Sequence, residues 1–156
     1  ALLWLPASIL NLQVRVFAEY GEDEGKLRDR IDFLLCKDEH DAEWYEKSVE
    51  YERSGFEDTE RVKSVLTLTT ERNKLIRDFV KRMKGSLSRE ELAELRKCKK
   101  LDDELNYYIR LDKKGLLQGE YSLTESGDCF HIKMLIAAFP KKYEKGVKVV
   151  QELFED

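Results

Sequence analysis

Between Thr69 and Arg96 the chain carries two helix signatures in immediate succession. Any fold it adopts must therefore accommodate a helix, a sharp break and a second helix. Leu75, Ile76, Phe79, Val80 and Met83 fall at i, i+1, i+4, i+5 and i+8, one apolar stripe of a 3.6-residue repeat. Arg72, Lys74, Arg77, Lys81, Arg82 and Lys84 cover the remaining surface. Thr69 or Thr70 supplies a cap, and Gly85 stops the helix. Ser88 is followed three residues later by Glu91, a capping box, and Leu87 can staple onto Leu92, with Leu92, Ala93 and Leu95 facing inward.

The remaining patterns are read around this pair. A third helix is predicted from Asp102, a suitable N-cap, to Gly115, burying Leu105, Tyr108, Ile109 and Leu111. Leu116-Leu117 and Tyr121-Ser122-Leu123 read as a short hairpin around Gln118-Gly119. Thr124 opens a further helix towards Ala138, ended by Pro140, and a last helix spans Lys141 to Phe154. On the N-terminal side, Ala1 to Asn11 reads as a short buried helix, and the chain as a fragment whose N-terminal neighbour is missing. Gln13 to Tyr20 alternates as a strand, with Val14, Val16 and Ala18 on one side and Arg15, Phe17 and Glu19 on the other. A Gly21–Gly25 turn leads to a second predicted strand, Leu27 to Leu35, then a helix from His40 to Arg53 and a connector from Phe56 to Leu68.

The expected fold is mainly α with small β. A winged helix-turn-helix domain (61–138) is preceded by a helix and β-hairpin remnant of an α/β domain (1–60) and followed by a C-terminal helix (139–156). The stretch from Arg89 to Gly127 resembles the winged helix-turn-helix of prokaryotic regulators, in Leu111, Lys113, Lys114, Gly115, Leu116 and Leu117, then Tyr121, Leu123, Thr124 and Gly127. More weakly, the N-terminal order of elements resembles the sensor half of archaeal CRISPR-associated Rossmann-fold (CARF) winged-helix regulators.

The resemblance implies a DNA-binding transcriptional regulator acting on double-stranded DNA as a homodimer, with the third helix in the major groove. Asn106, Tyr107, Arg110 and Lys114 are then the base-facing candidates, and Arg89, Arg96, Lys97, Lys99 and Lys100 the phosphate contacts. Surplus apolar residues of the terminal helices, among them Ile132, Met134, Ile136, Val150 and Phe154, suit a dimer or packing on the same chain. The competing reading is a winged-helix protein-interaction module. It is favoured by the acidic opening Asp102-Asp103-Glu104 and a pI near 5.4.

Charge is unevenly spread. Residues 1–70 hold 9 basic against 16 acidic side chains, and residues 71–131 hold 14 against 12. An acidic half joined to a mildly basic half suggests two units with different partners, and a net of +2 is a weak nucleic-acid footprint. No phosphate loop, catalytic triad spacing or metal-ligand pair is evident, so no enzyme activity, cofactor or metal is expected. Cys36, Cys98 and Cys129 have no CxxC spacing and suit a reducing cytoplasm. No apolar run is long enough to span a membrane.

Overall fold

A computed structural model describes residues 8–56 and 60–155, so the helix expected over Ala1–Asn11 lies largely outside the described residues. From Ile9 onward that segment is extended. The first strand, β1 (Ile9–Glu19), runs through the middle of a five-stranded antiparallel sheet ordered β2-β3-β1-β5-β4. The other strands are β2 (Val49–Gly55), β3 (Val62–Thr70), β4 (Asn106–Asp112) and β5 (Cys129–Ile136). Helices α1 (Glu24–Leu34), α2 (Ala42–Ser48), α3 (Asn73–Ser86), α4 (Arg89–Arg96), α5 (Lys113–Leu117) and α6 (Tyr143–Leu153) connect and follow them. The sheet draws strands from both sides of the boundary expected at 60/61.

Alternation along the strands sets the layering. Leu12, Val14, Val16 and Ala18 of β1 are fully buried, as are Leu66 and Leu68 of β3. Tyr107, Ile109 and Leu111 of β4, and Phe130, Ile132, Met134 and Ile136 of β5, point the same way. Against this surface lie Leu27, Ile31 and Leu34 of α1, the whole stripe Leu75, Ile76, Phe79, Val80 and Met83 of α3, Leu92 and Leu95 of α4, and Val150 and Leu153 of α6. Each such side chain contributes roughly 1.5–3 kcal/mol on burial. One continuous core thus forms on one side of the sheet, and no helix of the described residues covers the other.

The mainly α fold with a winged helix is therefore incorrect: the chain is an α/β fold built on an antiparallel sheet. The two helices at its centre exist, and the Ser88 capping box forms in both directions, Glu91 N–H to Ser88 Oγ at 3.1 Å and Ser88 N–H to the Glu91 carboxylate at 3.0 Å. The segment after α4 is not a recognition helix. Asp102 accepts the N–H groups of Glu104 and Asn106 at 3.0 and 2.8 Å, closing a turn that feeds β4. From there Tyr107, Ile109 and Leu111 bury with period two. Leu116 and Leu117 end a short helix rather than form a wing strand, and the helix expected from Thr124 is replaced by β5.

Conversely, the strand expected over Leu27–Leu35 is α1. Leu27, Ile31 and Leu34 are spaced four and three, and the Asp23 carboxylate caps the N–H groups of Gly25 and Lys26. The helix expected to run to Arg53 ends at Ser48, where β2 begins. The apolar residues that suggested a dimer, Ile132, Met134, Ile136, Val150 and Phe154, are consumed by this core.

A charged clasp holds the β2–β3 hairpin to α1. Glu24 pairs with Arg53 of β2 and with Lys63 of β3 at 3.0 Å. The Arg53 hydrogen bond, then that of Lys63, holds its carboxyl down at about 2. A depressed carboxyl contributes stability that is complete above its unfolded value of about 4.3 and is lost as pH falls through the folded one. Glu24→Gln is expected to lower stability at neutral pH by about 1 kcal/mol or less, since the clasp is partly solvated. The difference from wild type should vanish as chemical unfolding is repeated towards pH 2; a difference that persists there contradicts the assignment.

Candidate nucleic-acid interface

The sheet face opposite the helices is built from the other parity of the same strands. Directly paired residues share a face, so Thr67, Arg15, His131 and Arg110 form one row across β3, β1, β5 and β4, and Thr69, Gln13, Lys133 and Tyr108 form the next. The Phe17 ring meets His131 edge-on with centroids 5.6 Å apart and lies 6.2 Å from Phe56. These side chains are half-buried or exposed, covering one another without an overlying helix.

Charge on this face is polarised. The β2 edge carries Glu50 and Glu52, paired to Thr69 and Thr67. The β1, β5 and β4 side carries Arg15, Lys133 and Arg110, and among the described residues no carboxylate stands within ion-pair distance of any of them. The Arg110 guanidinium donates to the Glu125 carbonyl at 2.9 Å, which fixes its direction. Burial, then the neighbouring Arg110 and Arg15 charges, lowers the His131 imidazole below its ordinary value, while its backbone contact with Gly127 opposes the shift.

The face extends past β4. Tyr108 donates its backbone N–H to the Lys100 carbonyl at 3.1 Å, Asp102 donates to the Asn106 carbonyl at 3.0 Å, and Leu101 bridges Tyr107. Residues 100–102 thus act as a short rim strand, and Lys100 and Asp102 flank Tyr108. The turn holding this rim is tightly determined: Cys98 and Leu105 both sit in the left-handed region, at φ 56° and 69°. A non-glycine residue there costs on the order of 1–2 kcal/mol, so packing must hold it. Leu105 is buried against α6, and a Cβ on Gly146 would come within 2.6 Å of its side chain. Glycine is what lets α6 approach this closely.

The fold separates the candidate residues. Lys99, Lys100, Asn106 and Arg110 lie on the open face or its rim. Lys99 and Lys100 are held only by solvent-exposed pairs with Glu94 and Glu125. Tyr107 lies in the core, 2% exposed, its hydroxyl donating to the Leu95 carbonyl at 2.6 Å. Arg96 reaches across the helical layer to the Phe154 carbonyl at 2.6 Å, and Lys97 pairs with Glu94 at 2.8 Å. Arg89 is exposed on α4, and Lys114 is exposed on α5.

Arg15, Phe17, Tyr108, His131 and Lys133 are not among the residues the sequence selects. Strand alternation at Arg15 and Phe17 is the one visible signal, and it lacks meaning until β5 and β4 are recognised beside β1. The three cysteines are free and buried, and burial pushes the Cys36 thiol up to about 11. Among the described residues no cluster of side chains could hold a metal ion. No helix among them is long and apolar enough to cross a membrane.

The described part of the chain is thus a sheet with helices on one side and a cationic, aromatic surface on the other, and comparison with known proteins gives its family. Residues 11–136 match a family model described as RNA binding, and the chain belongs to that family. It is similar to RNA-binding protein PAB1135 of Pyrococcus abyssi, with 30% identity over 150 residues covering 93% of each chain. Its fold matches the crystal structure of protein AF2318 from Archaeglobus fulgidus, of family DUF54, with a TM-score of 0.72 at 24% identity, covering 95% of this chain and 99% of that one. It also matches Mth689, a DUF54 protein of Methanothermobacter thermautotrophicus, with a TM-score of 0.68 at 22% identity, covering 94% and 98%. Neither the winged-helix regulator nor the CARF resemblance survives this. Double-stranded DNA gives way as the expected partner, together with the regulator role and its protein-interaction alternative.

At the lower end of the face a buried lysine ties three segments together. Lys113, 4% exposed, reaches the Phe17 carbonyl at 2.8 Å, the Glu22 carboxylate at 2.6 Å and Asp128 at 3.7 Å. Lys113→Met leaves two carboxylates and a carbonyl without their cation. It is expected to cost about 1–3 kcal/mol, less than for a fully buried pair because Glu22 and Asp128 still reach water. Thermal unfolding checks this, and a Tm equal to that of wild type contradicts the role assigned to Lys113.

Proposed function

We propose that this protein binds RNA through the open face of its sheet, over β1, β5 and β4 and the rim at residues 99–102, as a binding protein rather than an enzyme. The observation that carries the reading is the row Arg15, His131 and Arg110 with Lys133 beside it. Here cations with no carboxylate partner among the described residues are interleaved with the rings of Phe17 and Tyr108. Arginine and lysine meet phosphates, while aromatic rings on a flat sheet stack with unpaired bases, which RNA offers in loops and single strands. Membership of a family described as RNA binding, and a relative named as an RNA-binding protein, support the same partner. Glu50 and Glu52 repel a polyanion from the β2 edge, confining the path to the opposite side. An RNA partner and buried free thiols fit residence in the cytoplasm.

Five cations line this path: Arg15, Lys133, Arg110, Lys99 and Lys100. Full engagement of a single strand would give a slope of log K against log salt of about −3.5, and each lost cation would flatten it by about 0.7. Binding of single-stranded RNA measured between about 50 and 200 mM salt checks both values. Arg15→Ala and Arg110→Ala are expected to weaken binding and flatten the slope, whereas Lys81→Ala, on the exposed side of α3, should change neither. Absence of binding at the lowest salt, or slopes unchanged in both arginine variants, rejects the proposal.

A further inference from the structure

We infer that the cleft between the 99–102 rim and β4–β5 receives one unpaired nucleotide of a bound RNA and favours a base that carries an exocyclic amino group. This rests on the RNA-binding reading above and assigns a subsite within it. The cleft holds about 370 Å³ and is lined by Lys100, Asp102, Tyr108, Arg110 and His131, among others. That is within the range of roughly 300–1,000 Å³ typical of small-ligand clefts.

Three features give it chemistry. The Tyr108 ring is 40% exposed on an otherwise well-packed strand, between Lys133 on β5 and Lys100 on the rim, and offers a stacking surface. Arg110 and Lys100 stand beside that ring as phosphate contacts, and Lys100 has only its exposed partner Glu125 to exchange for one. Among these cations the cleft lining carries one carboxylate, that of Asp102. Asp102 Oδ1 is occupied by the N–H groups of Glu104 and Asn106, whereas Oδ2 accepts the Tyr108 hydroxyl at 3.3 Å, a long contact that a base amino group can replace, with the Asn106 side chain also beside the carboxylate.

A carboxylate acceptor beside a stacking ring selects a donor. Cytosine, adenine and guanine present an amino group, while the single N3–H of uracil lies between two carbonyl oxygens that would face the Asp102 carboxylate. A base within an A-form duplex cannot enter, because its Watson–Crick edge is already paired.

The test is fluorescence anisotropy at low salt with labelled oligocytidine and oligouridine of equal length, and with duplex RNA. The wild type should bind oligocytidine about tenfold more tightly than oligouridine, the scale of one good base contact. Asp102→Asn keeps Oδ1 on its two backbone donors, so its amide NH2 replaces the acceptor in the cleft. The preference should then vanish or reverse. Tyr108→Ala should weaken both single strands by about tenfold or more through lost stacking, while Tyr108→Phe, which keeps the ring, should not. Circular dichroism of each variant checks that it is folded. Equal affinity of the wild type for the two oligomers, or a folded Tyr108→Ala that binds both as wild type does, overturns the subsite. Binding to duplex alone overturns the subsite and leaves RNA binding standing. No binding to any RNA overturns both.

Discussion

The two-residue alternation of β1, flanked on both sides by hydrogen-bonded strands, is the constraint on which the rest depends. With β3 on one side and β5 on the other, the register places Leu12, Val14 and Val16 on one face with Leu66, Leu68, Phe130, Ile132 and Met134, and Gln13, Arg15 and Phe17 on the other. Leu12, Val14, Val16 and Ala18 demand an apolar cover, and α1, α3 and the terminal helix supply it. Arg15 forbids a similar cover on the other side, because burying an unpaired guanidinium costs several kcal/mol. A helical layer on one face and an open, charged layer on the other are therefore two consequences of one pattern.

This pattern explains which parts of the fold are legible in the chain. The α3 stripe and the Ser88–Glu91 box are local, self-contained signals, and both are realised. Segments 106–112 and 129–136 are read as helices because apolar residues there fit both periods: Leu105, Tyr108 and Ile109 satisfy a helical spacing, and Leu105, Ile109 and Leu111 a strand one. Their partners lie more than a hundred residues away in β1, or across the sheet in each other, and pairing of that kind leaves no mark on the local sequence. The ambiguity at Leu27–Leu35 runs in the opposite direction, since residues 27, 31 and 35 are four apart and satisfy both periods.

The same arithmetic governs the site residues. Asn106 and Arg110, four positions apart, share a face on a helix and also on a strand, so both point outward in either fold. Tyr107 is one position off that parity and turns into the core. Lys114 follows the end of β4 and leaves the face altogether. Arg15 and Phe17 enter only through the sheet, which brings them beside His131 and Arg110 from more than a hundred residues away in the case of His131. The net charge of −4 says little about such a surface. The acid is spent on clasps and pairs elsewhere, such as Glu24, Asp32 and Glu94, while Arg15, Lys133 and Arg110 have no carboxylate partner among the described residues.

Mapping by amide NMR tests most directly whether the helix-free face is the RNA surface. On titration with single-stranded RNA, shifts should be concentrated at Gln13–Phe17, Asn106–Arg110, His131–Lys133 and the 99–102 rim, with α1 and α3 silent. Shifts concentrated on the exposed, lysine- and arginine-rich side of α3, with the sheet strands unmoved, would contradict it.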